Sequence, residues 1–220
     1  MTSGGSVIGL VYDNGVLLAS DTLMSYGSLA KLPNVPRAKI LGSNTVVCAT
    51  GDYGDFQDVV RTLQQQLLRD SLYEDGIVTK PSELFCTLHR MMYYQRSRME
   101  PAQCQFVLAG HADGKPFLGG VDDIGTKWTD LCVGTGYGAH IAIPIMRRAL
   151  ERTDGKLTRD QAMSVVQDCL RALFYRECRT INKFQIADAT NGKVVIGDPI
   201  TLDTNWDYKG FDFSVTAIIS

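Results

Sequence analysis

The sequence predicts an α+β fold: a four-layer α-β-β-α sandwich of two antiparallel sheets. Apolar runs of strand length come in groups joined by short turns, which favours antiparallel pairing. Helical stretches come in two adjacent pairs, one for each outer layer. The order is strands, two helices, strands, two helices, strands, which does not alternate as a doubly wound parallel sheet would. At 220 residues the chain is long enough to bury a substantial core. Residues 1–199 read as one domain and residues 200–220 as a C-terminal extension.

The first strands are residues 6–12 and 16–20. Asp13-Asn14-Gly15 separates them, and Asn-Gly accepts the positive φ that closes a hairpin. Strands at 38–41 and 45–50 turn at Ser43-Asn44. A helix is predicted over about 53–72, where Phe56, Val59, Val60, Leu63 and Leu67 repeat at helical spacing. After a loop with Gly76, a second helix starts near Pro81, with Leu84, Leu88, Met91 and Met92 as its core stripe. Strands at 103–110, 116–121 and 127–133 turn at Asp113-Gly114 and at 123–125. The later helices are about 138–151 and 158–175. Thr158 and Gln161 have capping-box spacing, and Pro144 is expected to delay or kink the first of this pair. Residues 183–189 and 193–196 form a last hairpin around Asn191-Gly192.

Composition narrows the function. Hydrophobic residues make up 45% and charged residues 21%, ordinary values for a globular protein. The net charge of −2 carries no block of one sign, so nucleic acid and membrane surfaces are not expected partners. No apolar run approaches the roughly 20 residues that span a bilayer. The opening MTSGGSV lacks a basic stretch followed by an apolar one, which argues against secretion. The six cysteines are scattered, without C-x-x-C spacing, and read as reduced structural thiols. His89, His111 and His140 form no local metal motif, and no cofactor is expected. Gly134-x-Gly136-x-x-Ala139 matches a dinucleotide fingerprint, but a second helix follows it where that motif needs a parallel strand.

The run SVIGLVYDNGVLLASD at 6–21, followed by YGSLAK at 26–31, resembles the opening of proteasome β-type subunits. Further segments are similar to members at the beta-7 position of the eukaryotic 20S particle, also catalogued as beta type-4. They are GDYGDFQ at 51–57, MMYYQRSRMEP at 91–101, GTGYGAH at 134–140, YREC at 175–178, NKFQIA at 182–187 and TNWD at 204–207. Together they span residues 6–207 in one shared order. The resemblance implies the N-terminal nucleophile hydrolase fold and a non-catalytic role, since members at this position are inactive. It also implies a 28-subunit, four-ring particle of α and β subunits that carries out ubiquitin- and ATP-dependent protein degradation. Beta-6 and beta-1 would be neighbours, with contacts to the opposite β ring. The expected location is cytoplasm and nucleus.

Active relatives attack with an N-terminal threonine whose own α-amine serves as base, helped by a lysine and by carboxylate and hydroxyl partners. That threonine sits sixteen residues before the aspartate matching Asp21, which here is Gly5. The lysine position, sixteen after Asp21, is Arg37, which stays protonated and offers no lone pair. Thr135 stands for a serine, Glu177 for an aspartate and Thr180 for a second serine, with Ile181 in place of its glycine neighbour. Asp21, Thr135 and Glu177 are expected to bond the loops where the N-terminal strand begins.

Two escapes from inactivity exist on paper. Cleavage after Gly5 would expose Ser6, but a slip of one residue should send its side chain to the opposite face. Removal of Met1 would expose Thr2, three residues upstream. An active hydrolase using Ser6 or Thr2 is therefore the alternative, and an unrelated free-standing α+β enzyme is a third reading. In the extension, Phe211, Phe213, Val215 and Ile219 follow strand alternation. An apolar strand of this kind is expected to pair with a neighbour, and the resemblance directs it to the opposite ring.

Overall fold

The structure is a computed structural model that describes residues 2–206. Strands β1 (Thr2–Gly4), β2 (Val7–Tyr12), β3 (Gly15–Asp21), β4 (Met24–Tyr26), β5 (Leu29–Leu32), β6 (Lys39–Leu41) and β7 (Thr45–Asp52) come first. Helices α1 (Tyr53–Ser71) and α2 (Pro81–Ser97) follow. Then come β8 (Cys104–Ala112), β9 (Lys115–Val121), β10 (Lys127–Thr129) and β11 (Cys132–Thr135). Helices α3 (Gly138–Arg152) and α4 (Arg159–Arg176) precede β12 (Phe184–Thr190) and β13 (Lys193–Ile196).

Two antiparallel sheets form. One runs β10-β9-β8-β7-β1-β4-β5, with β6 also on β7; the other runs β11-β2-β3-β12-β13. Strand alternation sends each residue of β2 and β3 to one of two cores. Val7, Val16 and Leu18 meet Val46, Val107 and Leu118 between the sheets. Ile8, Leu10, Leu17 and Ala19 face outward, onto Ala142 and Met146 of α3 and Val166 and Leu170 of α4. On the far side, Phe56, Val59 and Leu63 of α1 and Leu84, Leu88 and Met92 of α2 cover Val47, Phe106 and Val121. These are the four layers that the order of elements predicts.

Capping residues define the helix starts. Asp52 caps α1, accepting from the N–H groups of Gly54 and Asp55 at 2.8 and 3.1 Å. Thr158 and Gln161 form the capping box of α4. Helix α3 begins at Gly138, six residues ahead of Pro144, so the proline does not delay its start.

One expectation of the strand pattern needs correction. Residues 127–133 are two strands rather than one. β10 pairs with β9 in the larger sheet, while β11 pairs with β2 in the smaller, because Asp130-Leu131 carries the chain from one layer to the other. Short strands at Thr2–Gly4, Met24–Tyr26 and Leu29–Leu32 escape periodicity, being three or four residues long. The tail strand carrying Phe211, Phe213, Val215 and Ile219, like Asp207, lies outside the described residues.

Candidate functional site

The site lies where β1 gives way to β2. β1 is wedged between two strands: Thr2, Ser3 and Gly4 face Tyr26, Ser25 and Met24 of β4, and Ser3 and Gly4 face Asp52 and Gly51 of β7. Among the described residues, the β4–β5 hairpin reaches the larger sheet only through these three residues of β1. The N-terminal segment thus fills the slot between β4 and β7, and neither strand offers a free edge there.

Gly5 and Ser6 follow, between strands. A Cβ at Gly5 would stand 2.9 Å from Glu177 Oε1, 3.2 Å from the Arg179 carbonyl and 3.6 Å from Asp21 Oδ1. Gly5 therefore lies between the Asp21 and Glu177 carboxylates that the resemblance assigns around it, with no side chain to react. Asp21 closes β3 and Glu177 caps the C-terminus of α4, so two distant elements bring their carboxylates together.

Arg37 fills the space beside them. Its guanidinium donates to Asp21 Oδ1 at 2.5 Å, to the Gly5 carbonyl at 2.5 Å and to the Ala49 carbonyl at 2.7 Å. Arg37 is 2% exposed and Asp21 3%, a fully buried ion pair. The planar fork of arginine can serve a carboxylate and two carbonyls together, which an ammonium on a flexible stem does less well. A Cβ at Gly4 would stand 2.5 Å from Arg37 Nε, so Gly4 is the space that this side chain requires.

Burial pushes the Asp21 carboxyl up, to about 6, with the Glu177 charge adding to the rise and the Arg37 charge opposing it. Asp21 Oδ2 has no well-formed hydrogen bond, although Leu23 N–H and the Thr180 hydroxyl stand close enough to favour the ionised form.

Ser6 lies beside the same carboxylates, which corrects the expectation that it turns away. Residues 5 and 6 are not part of a strand, so the two-residue alternation does not govern them. The Ser6 hydroxyl donates to Glu177 Oε2 at 2.7 Å and accepts from Gly138 N–H at 2.9 Å. Ser6 thus caps α3, whose own cap residue Tyr137 makes no side-chain cap bond. It is 6% exposed, and its nitrogen is tied in the peptide bond to Gly5. Thr2 lies in register with Tyr26, about 10 Å up the strand from Gly5 at ~3.3 Å per residue. Thr135 ends β11 and hydrogen-bonds Thr50 at 2.6 Å, rather than either carboxylate. Sequence reasoning did not foresee the bonds of Ser6 or Thr50, which join residues 171 and 85 positions apart.

The cluster can hold loops and bury one ion pair. Among its groups Arg37 has no acceptor, and the hydroxyl of Ser6 is already engaged on both sides. A groove of about 570 Å³ lies elsewhere, between α4 and β13, lined by Met163, Ile186, Val195 and Ile200. Among the described residues no group of three His, Cys, Asp or Glu could hold a metal ion, and no helix is long and apolar enough to cross a membrane.

Residues 1–189 match the family described as Proteasome subunit. The chain belongs to the proteasome subunit family. Proteasome subunit beta type-4 of Dictyostelium discoideum is 41% identical over 208 residues, covering 94% of this chain and 80% of that protein. Its namesake in Xenopus laevis is 36% identical, covering 94% and 85%. Proteasome subunit beta type-7 of Saccharomyces cerevisiae is 33% identical, covering 94% and 82%. The two-sheet, four-helix architecture is that of a proteasome subunit, with the N-terminal nucleophile hydrolase fold.

Proposed function

We propose that this chain is a structural β subunit of the 20S proteasome core particle, of the beta type-4 class, and that it does not cleave peptides. The observation that carries the second half is the closed centre. Gly5 offers no nucleophile, and Arg37 takes the lysine position and holds the Gly5 carbonyl from a buried ion pair with Asp21. Catalysis by a terminal threonine needs a hydroxyl on the terminal residue and a proton-accepting lysine; position 5 has no side chain, and arginine stands at the lysine position. Its role is then to complete a β ring with other proteasome subunits and to shape the proteolytic chamber.

The finer assignments form part of the same reading. The particle has 28 subunits in four rings, in cytoplasm and nucleus, and the chain sits between beta-6 and beta-1. Residues 211–220 reach the opposite β ring, where Phe211, Phe213, Val215 and Ile219 supply the apolar contacts that join half-particles. Support comes from the alternation of these residues and from the resemblance to beta-7 members.

The test is deletion of residues 211–220 in cells that assemble the particle. Half-particles should accumulate at the expense of full particles, read on native gels. A normal yield of full particles would refute the role given to the tail.

A further inference from the structure

Residues 200–206 are fastened to the domain in an unusual way. Ile200 makes a two-bond bridge to Phe184, at 2.8 and 2.7 Å, and beyond it the backbone is irregular. Side chains then take over from the sheet. Asn182 holds Leu202 by both its oxygen and its nitrogen, at 2.9 and 2.7 Å. Arg171 Nε donates to the Asp203 carbonyl at 3.1 Å. The Tyr175 hydroxyl accepts from Asn205 N–H at 2.6 Å and donates to the Asn205 carbonyl at 3.1 Å. Trp206 closes the series edge-on, with ring centroids 4.8 Å from Tyr175 and 5.6 Å from Phe174.

An irregular segment held only for its own sake has little reason to be fixed at nearly every residue. Of these residues only Leu202 is buried as core, and Trp206 leaves 65% of its surface exposed, so burial alone does not explain the fastening. What the staples do fix is the position and heading of the backbone at Trp206, at the C-terminal end of α4. Fourteen residues follow in the sequence. Fourteen residues can reach at most about 46–50 Å from that root, so where the root stands bounds which surfaces they can meet.

We propose that the corner formed by Phe174, Tyr175 and Trp206 sets the departure point and heading of the C-terminal residues, and so positions them for a partner subunit. The partner surface is apolar and accepts an extended strand, to suit Phe211, Phe213, Val215 and Ile219. This rests on the reading that the tail joins half-particles. Fixing the root lowers the ordering cost of docking and raises the effective concentration of the tail at its target.

Three variants in the assembling particle separate the possibilities. The first inserts Gly-Gly-Ser between Trp206 and Asp207, which leaves every staple intact but frees the heading. The second combines Tyr175→Phe with Trp206→Ala. The third deletes residues 211–220. The first two are expected to raise the ratio of half-particles to full particles by roughly threefold to tenfold, a factor of ten being 1.4 kcal/mol. Deletion should raise it further, and thermal unfolding of the insertion variant should match the native chain. If deletion raises the ratio while the first two variants leave it unchanged, the corner merely covers the end of α4 and the proposal is wrong. If deletion itself leaves the ratio unchanged, the tail has no joining role and the proposal falls with it.

Discussion

Arg37 and Asp21 meet at 2.5 Å with 2% and 3% of their side chains exposed, so each is the reason the other can remain charged inside the protein. Arg37→Ala would leave Asp21 and the carbonyls of Gly5 and Ala49 without their donor. Breaking a buried pair in this way costs about 3–5 kcal/mol, read as a lower denaturation midpoint. Arg37→Lys keeps the charge but cannot serve all three acceptors, and is expected to cost about 1–3 kcal/mol. If both variants match the native chain in stability, the pair does not hold the site closed.

The raised carboxyl of Asp21 gives a signed pH dependence. Its folded value, about 6, exceeds the ordinary value of 3.8, so between these limits the folded chain holds more protons than the unfolded one. The stability it contributes therefore falls as pH rises from about 4 to 6, and is level above that. Urea midpoints of the native chain and of Asp21→Asn, compared across this range, isolate the effect. The advantage of the native chain should shrink between pH 4 and 6. An advantage that grows would mean that the Arg37 charge outweighs burial.

Restoring a threonine at position 5 should not restore a protease. A Cβ at Gly5 meets the Glu177 carboxylate at 2.9 Å, and that side-chain end can give way, so Gly5→Thr should fold with a cost of about 1–3 kcal/mol. Its amine would still be acylated by Gly4, with Arg37 alongside. Fluorogenic peptides assayed with particles carrying this variant should show no new activity. Gly4→Ala is harder to accept, because its Cβ would meet the Arg37 guanidinium at 2.5 Å inside the ion pair.

Ser6→Ala tests the serine as a structural link. It removes one donor from Glu177 and the acceptor for Gly138 N–H, both buried. The expected loss is about 1–3 kcal/mol, with faster hydrogen exchange at the start of α3. A neutral substitution would show that water replaces the hydroxyl at no cost.

The layers were legible because alternation in residues 7–20 and the helical stripes at Phe56 to Leu63 and Ala162 to Leu170 each bury one face, and burial is what patterns a sequence. Asp21, Gly5 and Arg37 were legible as a set through the resemblance to proteasome β-type subunits, which assigns their positions. The geometry of their contacts was not. The Arg37 bond to the Gly5 carbonyl and the Ser6 bond to Glu177 join residues 32 and 171 positions apart, and no local pattern encodes such pairings. β1 was hidden for a related reason: three residues ending in glycine carry no period, and only the edges of β4 and β7 make them a strand. The split of residues 127–133 between two sheets likewise depends on which edge each half finds.

The most direct measurement is the intact mass of this chain, taken from its native particle, with and without an epoxyketone that traps N-terminal nucleophiles. A chain that retains Gly5 and carries no adduct is expected, because Gly5 has no side chain and Arg37 closes the centre. A chain that begins at Ser6 or Thr2 and carries the adduct would contradict this reading and identify a working protease subunit.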